Sequence, residues 1–373
     1  MHIINKLVIY LVTCGFGLLL FYNVKLPESN LALGANDSVR NYDALFNYKH
    51  FASALVHKNR TLQPSNIWCI FAKIDKNTEL KTKFKTFLTS LLTYSSIPLH
   101  LHVITDVTSK PEGDSIIRNI ISKNKKKVLF TFYDVHESAE KISDIVKTLT
   151  PHFSSQPGSY YSDALFYISM GLHRIAPVSM YKAILIDCDV KIRGDIKELF
   201  QEFNKFNGKL FGLAPELTPV YRHVLYQYRQ VHPETTFGSP FKHRTNSETN
   251  VTSIRTNGAK NQQGFPGYNS GVVLLNLQAI RTSKLYSNLL SNESVKNLTD
   301  KYYFRGHLGD QDYYTILGYE HPELFQTIDC TWNRQLCTWW KDRGYVEVFD
   351  EYFYCPGKVK LYHGNCNTNI PTD

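Results

Sequence analysis

The stretch KAILIDCDVKI, Lys182 to Ile192, decides how the chain folds. Ala183 to Ile186 is a short apolar run of the kind that forms a fully buried strand. It ends in two carboxylates, Asp187 and Asp189, separated by one cysteine. Side chains alternate along extended backbone, so Asp187 and Asp189 share one face and Cys188 points to the other. Two negative charges side by side at the end of an apolar strand are costly without a positive partner. Two oxygen ligands at this spacing can grip one divalent cation, whose remaining positions accept diphosphate oxygens. A capping aspartate followed by an unrelated surface aspartate has the same spacing. The apolar strand before the pair and the charged turn KIRGDI after it favour the metal site.

Outward from this strand the chain alternates between two periods. IWCIFAKI from Ile67 is an apolar strand, TELKTKFKTFLTSLLTY has helical spacing, and PLHLHVITD is a strand again. SIIRNIISKN predicts a helix, KVLFTFYDV a strand, and DALFYISMGLHRIAP a helix that stops before Pro177. Strand–helix alternation of this kind predicts an α/β fold with a mostly parallel central sheet covered on both faces. Ligands of such sheets bind beyond the carboxyl ends of the strands, where Asp187 and Asp189 fall. After GKLFGLAPE the pattern loosens, and Pro233 to Pro266 is polar and reads as a long loop. YNSGVVLLNL resumes as a strand, with a helix expected from Gln278 to about Leu290.

With 373 residues, 43% hydrophobic, the chain can build one large α/β core or two ordinary ones. A net charge of +9 favours an anionic partner or substrate. The charge is dispersed and no Arg-rich or aromatic-interleaved motif accompanies it, so nucleic acid is not an expected partner. Leu7 to Val24 is an 18-residue apolar run without charge, flanked by Lys6 and Lys25. As a helix it spans about 27 Å, enough for a thin bilayer of the endoplasmic reticulum or early Golgi. A cleaved signal peptide is the rival, for which the run is long. An uncleaved anchor is favoured: residues 1–6 a cytoplasmic tail, 7–24 a single-pass type II signal-anchor, 25–64 a lumenal stem and 65–373 a lumenal domain. N-x-[ST] triplets at Asn36, Asn59, Asn250, Asn292 and Asn297 agree with a lumenal body. Cys330, Cys337, Cys355 and Cys366 crowd the C-terminus and read as two disulfides in an oxidising lumen. A zinc site is the alternative, but no Cys-x-x-Cys pair is present.

Three further segments supply what a metal–diphosphate site lacks. GYNSGVVLLNL places Asn269, Ser270 and Gly271 at the start of a strand, where small polar groups can bond sugar hydroxyls and glycine allows close approach. FRGHLGDQDYYTIL carries Asp310, Gln311 and Asp312 into a helix, and Asp310 is also a candidate N-cap. KVKLYHGNCN puts His363 at the end of a short strand beside Gly364. Together, from about Ile67 to Asn367, these words resemble glycosyltransferase family 8, nucleotide-sugar enzymes of the GT-A fold that act on UDP-sugars with retention. The C-terminal words KYYFRGHLGDQDYYT, GYEHPELFQTIDCTWNRQLCTWW and YHGNCNTNIP look like those of secretory-pathway members that add an α-1,3-linked xylose to xylose–glucose on EGF repeats, Notch among them.

The resemblance implies a UDP-xylose donor and an Mn²⁺ ion, or Mg²⁺, on Asp187, Asp189 and His363. It implies that Phe71, Ala72 and Lys73 line a uridine pocket and that the backbone around Cys188 lies near the ribose. Asn269, Ser270 and Gln311 would surround the donor sugar, with Asp310 holding a hydroxyl. Trp339, Trp340 and Asn365 would border the acceptor. The implied disulfides are Cys330–Cys355 and Cys337–Cys366, leaving Cys69 and Cys188 free.

Overall fold

The computed structural model describes residues 64–75, 79–124, 128–154, 164–241 and 264–371. The expected anchor, the stem up to residue 63, the polar segment 242–263 and the triplets at Asn36, Asn59 and Asn250 lie outside them. Among the described residues no helix is long and apolar enough to cross a membrane. Asn292 and Asn297 are exposed on one helix, Asn292–Lys301.

In chain order the elements that position the site begin with β1 (Ser65–Ile70), α1 (Glu79–Tyr94), β2 (Leu99–Thr105), α2 (Lys110–Asn124) and β3 (Val128–Asp134). Then come α3 (Ile168–Ile175), β4 (Ala183–Ile186), β5 (Val190–Ile192), β6 (Phe211–Pro215) and β7 (Tyr268–Leu275). They end with α4 (Leu277–Thr282), α5 (Lys284–Leu289), α6 (Asp310–Glu320), β8 (Phe325–Thr327), β9 (Arg334–Gln335) and β10 (Leu361–His363). The main sheet has the order β3-β2-β1-β4-β7-β6-β8. All its strands run the same way except β7, which is antiparallel to both β4 and β6. A second sheet has three strands in the order β5-β10-β9.

The alternation in β4 sorts side chains between two apolar cores, one on each face of the sheet. Ala183 and Leu185 join the core that holds Trp68 and Val273, whereas Ile184 and Ile186 join the one that holds Cys69 and Val272. Cys188 continues the even phase and is buried with Ile186. KAILIDCDV is not one strand, however. The chain turns at Asp187–Asp189 and re-enters a different sheet as β5, because β4 continues beside β7 only as far as Asp187. The helix expected over 278–290 is likewise two, because Ser283 ends α4 and caps α5 through its hydroxyl, 3.1 Å from the Tyr286 amide. The ends of the long loop meet where Phe237 pairs with Phe265, and the Phe237 ring stacks on Tyr319 of α6 at 4.2 Å.

Disulfides join Cys330 to Cys355 and Cys337 to Cys366, and Cys69 and Cys188 are free and buried. The second bond ties the loop after β9 to the loop after β10, so it braces the segment that carries His363.

Candidate active and metal-binding site

Backbone pairing alone brings the metal-ligand candidates together. The Asp187 amide donates to the Gly271 carbonyl at 2.9 Å, which sets the start of β7 against the Asp-x-Asp turn. β10 pairs antiparallel with β5, placing His363 opposite Val190, and the Gly364 amide donates to the Asp189 carbonyl at 2.8 Å. His363 Nε2 therefore stands 3.7 Å from Asp187 Oδ2 and 3.5 Å from Asp189 Oδ1. One ligand atom from each of the three residues lies within 4.8 Å of the others. The Asp187 side chain is 54% exposed and that of His363 only 5%, so the imidazole forms a floor beneath carboxylates that face the opening. Two carboxylate oxygens and one imidazole nitrogen suit Mn²⁺ or Mg²⁺ and leave positions for other ligands.

Charges at the site are mutually dependent. Desolvation by the surrounding protein and the charge of Asp189 push the Asp187 carboxyl up to about 7. Desolvation also opposes ionisation of Asp189, but the hydrogen bond and charge of His363 outweigh it and hold that carboxyl below the usual range. Burial would lower the His363 value, yet Asp189 and Asp187 outweigh it and raise the imidazole above its ordinary value.

Glycine at 271 is a steric requirement, since a Cβ there would sit 2.2 Å from His363 Cε1. Gly271→Ala is expected to swing the imidazole away and weaken Mn²⁺ or Mg²⁺ binding by about 100-fold, the upper end for a disturbed ligand shell. Isothermal titration with the metal alone checks this; unchanged affinity would free the imidazole of a ligand role.

Behind the triad runs a buried relay that sequence reasoning missed. His363 Nδ1 lies 2.9 Å from Asn333 Oδ1, and Asn333 Nδ2 donates to Asn269 Oδ1 at 2.8 Å. Asn269 Nδ2 then donates to Glu216 Oε2 at 2.9 Å, and Gln311 Nε2 donates to the same oxygen at 3.3 Å. The other Glu216 oxygen accepts from the Thr218 amide and hydroxyl, at 3.0 and 2.7 Å. With Asn333 accepting, a neutral His363 keeps its proton on Nδ1 and presents Nε2 to a cation held by the carboxylates. Burial raises the Glu216 carboxyl even though Asn269 and Thr218 bond it. A carboxylate after an apolar strand, LFGLAPE, was a signal for Glu216 of the same kind as Asp187. Asn333 offered none.

The Asp-Gln-Asp word divides into three tasks. Gly309, at φ 63°, occupies the N-cap of α6, so Asp310 is the first helical residue and not the cap. Asp310 takes the Ser270 hydroxyl on one oxygen at 2.9 Å and the Ser169 hydroxyl on the other. Burial pushes its carboxyl up to about 7 despite those two bonds. Gln311 Oε1 accepts from the Ser270 amide at 3.2 Å. Asp312 is buried, bonding the Leu308 amide at 2.7 Å and the Tyr221 hydroxyl at 3.0 Å, and so fixes the loop that enters α6.

Residues beyond β1 form a second wall. The Phe71 ring is buried against Phe84, with centroids 4.3 Å apart, and Ala72 is buried beside it. Lys73 adopts φ 60°, and its amide donates to Asp106 Oδ2. Cys188 turns into the core, its thiol directed at the Ile70 carbonyl at 3.1 Å. On the other side, Asn365 Oδ1 accepts the Leu336 and Cys337 amides at 3.0 Å each. It orders the loop leading to Trp339 and Trp340. Trp339 is half exposed under Arg343, while Trp340 packs against His223 and Tyr345.

Residues 66–350 match glycosyl transferase family 8. Human xyloside xylosyltransferase 1 is 43% identical over 312 residues, 82% of this chain and 74% of that protein, and the mouse protein gives the same figures. The crystal structure of mouse xyloside xylosyltransferase 1 in its apo form superposes with a TM-score of 0.73 at 42% identity, covering 83% of this chain and all of that one. With sequence, fold and a mostly parallel GT-A-like sheet agreeing over most of its length, the chain belongs to glycosyl transferase family 8.

Proposed function

We propose that the chain is a retaining transferase that moves xylose from UDP-xylose, in α-1,3 linkage, onto the xylose of xylose–glucose O-linked to EGF repeats of the Notch type. It would work in the lumen of the endoplasmic reticulum or early Golgi, held by its N-terminal type II anchor. One observation carries the reading: the Asp187–Asp189–His363 triad is joined to Gln311 by a single buried hydrogen-bond network, in a chain 43% identical to human xyloside xylosyltransferase 1. Asp187, Asp189 and His363 would hold Mn²⁺, or Mg²⁺, which when bound supplies a Lewis acid for the departing diphosphate. Phe71 to Lys73 would receive the uridine through backbone groups, since the Phe71 ring is spent on the core.

The residues around the sugar favour attack from the same face as the leaving group. Double displacement needs a nucleophilic carboxylate beneath the anomeric carbon. Gln311 is an amide. All four acceptor positions of the buried Glu216 carboxylate are filled by Thr218, Asn269 and Gln311, while Asp310 is held between the Ser270 and Ser169 hydroxyls with one acceptor position left on each oxygen for a sugar hydroxyl. Ser270, Asp310 and Gln311 would therefore orient the xylose while the acceptor hydroxyl attacks beside the departing phosphate, whose oxygen takes the proton. Asn269 is consumed by Glu216, Asn333 and the Gly271 amide, so it would act by fixing Ser270. A trapped xylosyl–enzyme adduct would refute this route. The full chain incubated with UDP-xylose or UDP-glucose, against glucosyl and xylosyl-glucosyl EGF acceptors, tests the whole reading. Xylose transfer confined to the xylosyl-glucosyl acceptor is expected; transfer to the glucosyl acceptor, or from UDP-glucose, would overturn it.

A further inference from the structure

Lys83 has no place in the site described so far. It lies on α1, whose neighbouring residues Phe84 and Phe87 are buried in the core while Lys83 itself is half-buried. Its ammonium donates to Asn367 Oδ1, four residues beyond His363, and it makes no ion pair among the described residues. α1 also holds β5, the strand that follows Asp189, where the Ile192 amide donates to the Ser90 hydroxyl at 3.0 Å.

The partner that holds it is unusual. Asn367 and the preceding Cys366 have φ of 58° and 56°, a left-handed conformation that asparagine accepts more readily than other side-chain-bearing residues and cysteine adopts uncommonly. Two such residues in succession persist only where the surroundings impose them, and they cluster at ligand clamps. The Cys337–Cys366 disulfide, the Gly364–Asp189 hydrogen bond and a Thr368 amide donated to the Gly364 carbonyl at 3.0 Å impose them here. The loop that delivers His363 to the carboxylates therefore also delivers Asn367 to Lys83.

Charge balance gives the ammonium a task. A divalent cation on Asp187 and Asp189 is neutralised by them, and His363 must be uncharged to ligate. The cluster then offers a diphosphate no net positive charge, although departure of the sugar adds a negative charge to the terminal phosphate. An ammonium ion has three donors, and Asn367 takes one of them.

We propose that Lys83 binds the diphosphate of the nucleotide donor directly, and that Asn367 is the residue that positions it. The inference rests on the reading above that the site accepts a nucleoside diphosphate sugar. Lys83 is then a second electrostatic contact on the leaving group, supplied from α1 and not from the strands that carry the metal ligands. A charge-assisted hydrogen bond to phosphate is strong enough to show as a large loss on removal.

The test is calorimetric titration of the full chain with UDP, UMP and uridine at saturating Mn²⁺, for the wild type, Lys83→Ala, Lys83→Arg and Asn367→Ala. Lys83→Ala should weaken UDP binding by about 10-fold or more and leave uridine within twofold. Lys83→Arg should recover most of the loss, and Asn367→Ala should fall between. Equal loss for UDP and uridine would make Lys83 a packing residue and overturn the proposal, as would UDP affinity unchanged within twofold. Wild-type protein that binds no UDP would instead overturn the donor reading beneath it.

Discussion

Asp189→Asn is expected to lower kcat/KM by about a thousandfold while the protein folds normally. Lewis-acid assistance to a leaving group contributes several kcal/mol, and about 4 kcal/mol corresponds to that factor. The substitution keeps the side chain's shape but replaces the charged carboxylate with a neutral amide, whose one oxygen holds a hard divalent cation far more weakly. Backbone architecture is untouched, because the Gly364 amide bonds the Asp189 carbonyl and not its side chain. Two changes to stability oppose each other: repulsion from Asp187 disappears, and so does the attraction to His363. A Tm within about 3 °C of wild type is therefore expected, and about 1 kcal/mol would shift a domain of this size by that much. The decisive measurement is Tm with and without added Mn²⁺. Binding to the native state stabilises it by RT ln(1 + [Mn²⁺]/Kd), so at a metal concentration well above the wild-type Kd the wild type should gain Tm and the variant should not. The same stabilisation should weaken on acidification. His363 has a raised value, so its proton and the metal compete for Nε2 as the pH falls toward and below that value. Equal Mn²⁺ stabilisation of wild type and variant would remove Asp189 from the metal site.

What a linear reading could reach was set by which interactions are local. The AILI run is legible because β4 is flanked on both faces, so every residue in it must be apolar. The phase of the alternation survives past the strand's end, which is why Cys188 is buried and the two aspartates are not, even though the chain turns there. Periodicity says nothing about which strand lies alongside. The reversed direction of β7 and the departure of β5 into a second sheet were invisible for that reason. Distance in sequence hides the relay too. Asn333 and His363 meet through the β9–β10 register, and Glu216 and Gln311 through β6, β7 and the entry to α6. An asparagine in a one-turn segment carries no periodic signal, and its role appears only when the register is known.

Glu216→Gln should cut kcat by about 100-fold with little change in the affinity for UDP. The residue is buried, and each of its carboxylate oxygens faces two donors: the Thr218 amide and hydroxyl on one side, the amide nitrogens of Asn269 and Gln311 on the other. A carboxylate only accepts, whereas a glutamine must present an NH₂ group in one of those two places. Turned one way, it opposes Asn269 and Gln311; turned the other, it opposes Thr218. Each buried donor left without an acceptor costs about 1–3 kcal/mol, so the lower-energy outcome is for Gln311 and Asn269 to move. Moving Gln311 displaces the group that bonds the Ser270 amide and would orient the donor sugar, and a loss of about 2.7 kcal/mol in the transition state gives the stated factor. Phe71, Ala72 and Lys73, proposed above to receive the uridine, share no hydrogen bond with Glu216, so UDP affinity should hold within about threefold for a contact that remains intact. Stability has a compensating gain, because burial disfavours the charged carboxylate and the neutral amide escapes that cost. Steady-state kinetics, UDP titration and Tm measured on one preparation separate the cases. A fall in kcat alone would establish Glu216 as the group that holds the sugar-facing amides in place. Parallel falls in Tm and UDP affinity would reduce it to a packing residue of the cleft floor.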